Sequence, residues 1–271
     1  MRVVAFVGDH LRHRYFLWQL ERAVPVVHVY TQQREPEVPE SVPTDALGEL
    51  VAFHFRERRR VESLMFGDAE KYEPRARAHT RFEDLQGERL KQVVSAVVDD
   101  KPDLLLCFGT GILPHSIVGV PLQSWNMHGG LSPWFRGDAT MFWPSYLLQP
   151  QFTGVTLHQM TERVDAGALV HQSGAVLVSG DGLHALAART LLRGIEETVS
   201  VVKATVESGQ FPTVAEQRQG GKVFSAKDWR PEMCKVIYET FGDKIADWYL
   251  SGALPQVLPN LYRSPYVPPN D

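Results

Sequence analysis

Ser124-Trp-Asn-Met-His128 runs directly into Gly129-Gly-Leu-Ser-Pro-Trp-Phe-Arg-Gly137: an apolar stretch ends in two polar side chains and breaks into a glycine-bearing loop. A buried strand of a parallel sheet reads this way when its carboxyl end opens onto a ligand site. Asn126 and His128 are two apart, so on extended backbone both project from one face. Upstream, Asp103–Cys107 reads as another buried strand, followed by Gly109, Gly111 and Pro114 as a turn into a short helix. Asp84–Asp99 carries Leu85, Leu90, Val93, Val94 and Val97 near one side, the pattern of an amphipathic helix. At the start, Val3–Val7 is an apolar run closed by Gly8, Arg14–Ala23 permits a helix, and Val26–Tyr30 is rich in β-branched residues. Gln32–Pro43 is polar and proline-bearing and reads as a loop.

Downstream, Gly154–Gln159 and Ala168–Val178 read as two further strands, antiparallel to one another. Gly182–Ser208 is the longest helix, with Leu183, Leu186, Leu191, Ile195, Val199 and Val202 on its apolar side. Strands alternating with helices predict an α/β fold: a Rossmann-like, mostly parallel sheet with helices on both faces. The texture changes after Gly209. Gly220-Gly221-Lys-Val-Phe224 reads as a hairpin, Glu232–Tyr249 as a helix and the proline-rich end as a tail. We therefore place a catalytic domain at 1–210 and a small C-terminal α+β subdomain at 211–271.

The totals narrow the function. The sequence has 271 residues, 44% hydrophobic and 22% charged, which suits one main domain with an appendage. A net charge of −4 gives no reason to expect a nucleic-acid partner. The two cysteines, Cys107 and Cys234, form neither a metal-spaced pair nor a disulfide framework. The first residues do not read as a signal peptide and no run reaches membrane-spanning length, so a cytoplasmic enzyme is expected, with no membrane partner and no metal. A homodimer is left open.

Asn126, His128 and Asp165 together offer an amide donor, a proton carrier and a carboxylate, a set suited to acyl transfer to an amine. A carboxylate beside a histidine favours the imidazolium, so a raised His128 pKa is expected. Any one of these residues alone reads as structural; the order and spacing of all three carry the signal. The first strand lacks a following Gly-x-Gly-x-x-Gly, which argues against a dinucleotide enzyme.

Asn126-Met-His128, Leu131-Ser-Pro133-Trp-Phe-Arg136-Gly137, Thr153-Gly-Val-Thr156 and Asp165-Ala-Gly167 resemble the motifs of the folate-dependent formyltransferase superfamily. That superfamily includes glycinamide ribonucleotide, methionyl-tRNA and sugar-amine formyltransferases. The resemblance is strong from about residue 100 to 172, weaker over the first elements and absent beyond about 215. It implies 10-formyltetrahydrofolate as formyl donor. It implies Asn126 holding the formyl oxygen, His128 managing protons and Asp165 orienting and charging that imidazole. It also implies folate contacts from Phe108, Gly109, Thr110, Gly111, Ile112 and Leu113, and from the closing loop Thr161, Glu162, Arg163 and Val164.

The acceptor is read from departures. Gly8-Asp-His-Leu-Arg-His-Arg14 is poorly suited to cradle a phosphate by backbone amides, unlike the glycine- and serine-rich loop of purine-pathway members. The stretch after 210 is short for the tRNA-holding barrel of methionyl-tRNA members. A small-molecule amine remains, with a nucleotide-linked amino sugar the nearest branch. His10 and Arg12 after the first strand, and Trp134 and Arg136 in the loop beside the catalytic pair, are the candidate acceptor contacts. Arg56-Glu-Arg-Arg-Arg60 with His54 beside it reads as a solvated helix face, with a diphosphate contact as the alternative. Formyl transfer to a hydroxylamine or to methionyl-tRNA, formyl-folate hydrolysis and a folate-binding module are the rival functions.

Overall fold

Four strands of largely apolar sequence are expected to stack in parallel under helices, and they do, joined by a fifth at the edge. The computed structural model describes residues 1–34, 45–217 and 220–267. Its central sheet has seven strands in the order β3-β2-β1-β4-β5-β7-β8. These are β1 (Val3–Gly8), β2 (Val26–Gln32), β3 (Ala78–Phe82), β4 (Leu104–Phe108), β5 (Gln123–His128), β7 (Val155–Gln159) and β8 (Leu169–Ser173). The first five pair in parallel. β7 and β8 add in antiparallel sense, as the sequence led us to expect. The chain builds outward from β1 in one direction, then restarts at β4 in the other. The carboxyl ends of β1 and β4 are thus a switch point, where ligands of open α/β sheets bind.

Helices cover both faces. Phe16, Leu17 and Leu20 of α1 (Leu11–Ala23) and Leu191, Ile195 and Val202 of α6 (Leu183–Ser208) pack on Val3, Ala5, Leu104, Trp125 and Met127. Val93 and Val97 of α3 (Gly87–Asp100) and Ile117 of α4 (His115–Val118) pack on Val4, Phe6, Leu105 and Cys107. α2 (Ala46–Phe66) lies beside α6 and is capped by Asp45, whose side chain accepts from the Gly48 N–H.

Several expectations need correction. Gly220–Phe224 is not a hairpin: β9 (Lys222–Phe224) pairs in parallel with the distant β6 (Phe135–Gly137). The two meet because Phe135 and Phe224 stack at 5.9 Å in a third apolar cluster with Phe142, Trp143, Ile237 and Tyr249. The second late strand ends at Ser173, not Val178, where Gly174 follows and pairing with β7 stops. The helix expected over Glu232–Tyr249 is broken. α7 (Met233–Lys235) loosens into a π turn, and α8 (Ile245–Leu250) starts only after Gly242 and Asp243 take left-handed backbone at φ 59° and 58°. The loop reading over Gln32–Pro43 lies mostly outside the described residues, since Gln32 still belongs to β2. β3 was not expected because an edge strand with alternating exposure shows no apolar run.

Candidate active site

Register places the polar side chains before chemistry is considered. Asn126 lies opposite His158 of β7 and His128 opposite Thr156, so the end of β5 presents both residues on one face. Trp125 and Met127, which alternate with them, point into the core. Asp165 arrives on the turn joining β7 to β8 in left-handed conformation, φ 48°. Gly167 closes that turn where a Cβ would sit 1.8 Å from the Gln159 carbonyl oxygen, so a side chain there would push the turn off the strand.

The result is a convergent set. Asp165 Oδ1 accepts from the Asn126 amide at 3.2 Å and stands 3.3 Å from His158 Nε2. Its Oδ2 accepts from the Gly137 N–H at 2.9 Å and lies 3.3 Å from His128 Nδ1. His128 Nε2 faces the Phe135 carbonyl at 3.0 Å. Asn126 Nδ2 also lies 3.3 Å from His158 Nε2, so the Asn126 amide already faces protein groups on this side. For that amide to donate to a substrate oxygen, one of these long contacts must yield, as commonly happens when a substrate tightens an active site.

Burial raises the Asp165 carboxyl, but His128, His158 and the Gly137 N–H outweigh it and hold it well below the usual carboxylate range. For His128 the balance runs against the sequence expectation. Burial pulls its pKa down more than Asp165 and the Phe135 carbonyl pull it up, so the value is lowered, not raised. A buried neutral imidazole beside a carboxylate is ready to take a proton, and the carboxylate stabilises the charge that then forms.

These groups stand in the wall of one cavity of 1290 Å³. The loop after β4 lines it with Phe108, Gly109, Thr110, Gly111, Ile112 and Leu113. The turn with Thr161, Glu162, Arg163 and Val164 also lines it. Ile112 and Val164 expose large apolar side chains. The Gly111 N–H is already taken by Gln32 Oε1 at 2.7 Å. His10 and Arg12 line the cavity too; Arg12 donates twice to Glu62 at 2.9 Å and contacts His10. Of Arg56–Arg60, only Arg58 reaches the lining, and Arg60 pairs with Glu57 at the surface.

Two expected acceptor contacts are not brought to this cavity. Trp134 packs edge-on against Phe152 at 5.5 Å, and Arg136 donates to the Gly221 carbonyl at 2.8 Å. Both side chains make these contacts within the β6 region. Conversely, the sequence reading missed His158, although Thr156 and His158 share the strand period that brings it beside Asn126. His54, read as part of a solvated helix face with a diphosphate contact as the alternative, is instead buried in the cavity wall, and His184 and Trp229 beside it were missed because no local pattern links them. Among the described residues, no group of three or more His, Cys, Asp or Glu is placed to hold a metal ion, and no helix is long and apolar enough to cross a membrane.

Comparison with known proteins now bears on this geometry. A sugar N-formyltransferase from Shewanella sp. is 17% identical over 84% of this chain and 78% of its own, with a TM-score of 0.55. An N-formyltransferase from Helicobacter canadensis, in complex with folinic acid and dTDP-3-aminofucose, is 15% identical over 85% of this chain and 73% of its own, TM-score 0.53. Phosphoribosylglycinamide formyltransferase from Anaplasma phagocytophilum is 17% identical over 83% of this chain and 98% of its own, TM-score 0.54. At such identities the likeness shows a shared fold. The family model described as formyl transferase matches residues 17–202, most of the chain, including β5, β7 and the Asp165 turn. The chain therefore belongs to the formyl transferase family, enzymes whose formyl donor is 10-formyltetrahydrofolate.

Proposed function

We propose that this enzyme transfers the formyl group of 10-formyltetrahydrofolate to the primary amine of a small-molecule acceptor, a nucleotide-linked amino sugar. The observation that carries the reading is the convergence of Asn126, His128 and Asp165 in the wall of a cavity large enough for two substrates. The donor fits the residues present: Ile112 and Val164 offer exposed apolar faces beside a glycine-bearing loop, the surroundings a flat heterocycle requires. Bound there, it supplies an electrophilic formyl carbon.

The protein's groups then have distinct tasks. An Asn126 N–H is released to a carbonyl oxygen that gains negative charge as the amine attacks. His128, neutral in its buried setting, would take the proton that the attacking amine must lose and return it to the donor nitrogen as its bond to the formyl carbon breaks. Asp165 fixes the orientation of both and stabilises the imidazolium. Arg34 and Arg58 on the same cavity favour an anionic acceptor such as a diphosphate-linked sugar. The Helicobacter relative holds folinic acid and dTDP-3-aminofucose together, and the shared fold extends that pairing to this chain as our reading.

The test is incubation with 10-formyltetrahydrofolate and a panel of amino-sugar nucleotides, simple amines and hydroxylamines, following tetrahydrofolate by absorbance and products by mass. An amino-sugar nucleotide that gains one formyl group is the expected result. Formylation of a hydroxylamine alone, or formate release without an amine, would replace this reading.

A further inference from the structure

The chain beyond α6 supplies none of Asn126, His128 and Asp165, yet it returns to the turn that carries Asp165. Ala215 exchanges two backbone hydrogen bonds with Leu169 of β8, at 2.7 and 2.9 Å, which lays this segment along the last strand of the sheet. Two residues on, the Gln217 side chain meets the turn between β7 and β8. Its Nε2 donates to the Asp165 carbonyl at 3.0 Å and to the Gly167 carbonyl at 2.7 Å. Both partners are backbone acceptors, so the NH2 end of the amide must be the end that faces them.

That turn needs holding. Asp165 sits at φ 48°, in the left-handed region that a residue other than glycine keeps only where its surroundings fix it. Within the turn, the Ala166 N–H reaches the Arg163 carbonyl only at a long 3.4 Å. Gln217 ties down the backbone just after the Asp165 Cα, and from that point the carboxylate reaches Asn126 Nδ2 at 3.2 Å and His128 Nδ1 at 3.3 Å. These contacts are already at the long end of hydrogen bonding, so a further displacement of about half an ångström would break them. The same C-terminal stretch also steadies the other carboxylate oxygen. Asp165 Oδ2 accepts from the Gly137 N–H, Gly137 pairs with Phe224 of β9, and Trp143 at the start of α5 (Trp143–Tyr146) stacks on Phe224 at 4.5 Å.

We propose that Gln217 is a positioning residue of this site: through the Asp165 and Gly167 carbonyls it holds the Asp165 carboxylate against His128 and Asn126. The segment after residue 210 thereby completes the site. The inference rests on Asp165 acting in formyl transfer and adds the group that keeps it in place.

The test is a double-mutant cycle on the whole protein, pairing Asp165→Asn with Gln217→Met, which keeps side-chain length and removes both donors. The first readout needs no acceptor. The His128 titration is followed by NMR on protein with ¹⁵N-labelled histidine, its signals assigned by their loss in His128→Ala. Gln217→Met should move the titration to lower pH, as Asp165→Asn does, because the carboxylate that favours the imidazolium has drawn away. In the Asp165→Asn background Gln217→Met should move it no further. His158 and Asp138 also act on His128, and no variant of the cycle alters them. The second readout is turnover with 10-formyltetrahydrofolate and the acceptor found by the panel. In Gln217→Met kcat should fall about tenfold to a hundredfold with acceptor KM within about threefold, and less than about twofold further when Asp165→Asn is already present. Gln217→Ala should repeat both results. An unmoved His128 titration in Gln217→Met, or effects that add in full to those of Asp165→Asn, overturns the inference. Coupled titrations without formylation of any acceptor would uphold the positioning role and remove the formyl-transfer reading.

Discussion

Replacing Asp165 by Asn keeps shape and removes charge at the one residue that touches every other member of the site. Its two oxygens accept from Asn126 Nδ2 and from the Gly137 N–H. An amide in this place has one oxygen, so in either orientation its NH2 group faces a donor. Leaving one such donor unpaired costs about 1–3 kcal/mol. The larger effect is on His128. At 3.3 Å the carboxylate attracts an imidazolium by about 5 kcal/mol at an effective dielectric constant of about 20. Since His128 starts neutral, most of that attraction develops as the proton arrives and so lowers the barrier. A loss of about 3–5 kcal/mol is a fall in rate of about 10²- to 10⁴-fold. Tetrahydrofolate release under single-turnover conditions, with the acceptor found by the panel, would measure it. The pH dependence gives a second readout with a defined sign. His128 titrates below its ordinary value, so the acid limb of kcat/KM in the native enzyme should lie below about pH 6.5. Asp165 raises that pKa, so Asp165→Asn should move the limb to still lower pH. A variant within about fivefold of native rate, or a limb displaced upward, would refute the assignment.

Other perturbations separate catalysis from architecture. Asn126→Ala should lower kcat by about 10²–10³-fold with folinic acid binding nearly unchanged, as measured by calorimetry. Gly137→Ala places a Cβ 2.0 Å from the Phe224 carbonyl oxygen at φ 87°, so β6 and β9 must part. Thermal melting should register a loss of about 2–4 kcal/mol. Glu197→Ala removes the carboxylate that joins His171, Ser173 and Arg263 in the interior, and should cost about 3–5 kcal/mol in denaturant unfolding. Burial raises the Glu197 carboxyl but His171, Arg263 and Ser173 bring it down to about 2. Its contribution is therefore complete above about pH 4.5 and lost as pH falls toward 2, and acid unfolding of the Glu197→Ala variant should lack that component.

Much of this molecule was legible in one dimension because the parallel strands are buried on both faces. Leu104–Phe108 and Val3–Gly8 announce themselves as apolar runs, and the period of two explains why Asn126 and His128 share a face. What stayed hidden depends on contacts far apart in sequence. β9 finds β6 across more than eighty residues through the stacking of Phe135 and Phe224, and nothing local in Gly220–Phe224 distinguishes that from a hairpin. The sign of the His128 shift could not be read because it is a contest between burial and Asp165, and burial is a property of the fold. Trp134 and Arg136 sit in a recognisable loop, but which way a loop side chain turns is decided by Phe152 and Gly221. The aromatic wall of His54, His184 and Trp229 joins three separate elements, and its chemistry exists only once they are assembled.

In the proposed reaction, Asn126, His128 and Asp165 pass a formyl group to an amine. The most direct measurement is transfer from 10-formyltetrahydrofolate labelled with ¹³C in the formyl carbon, followed by NMR on the whole reaction mixture with an amino-sugar nucleotide. The account predicts label in an amide on the acceptor, one for each tetrahydrofolate released, and no such signal with His128→Ala. Label recovered only as formate, or transfer that persists at near native rate in His128→Ala, would contradict it.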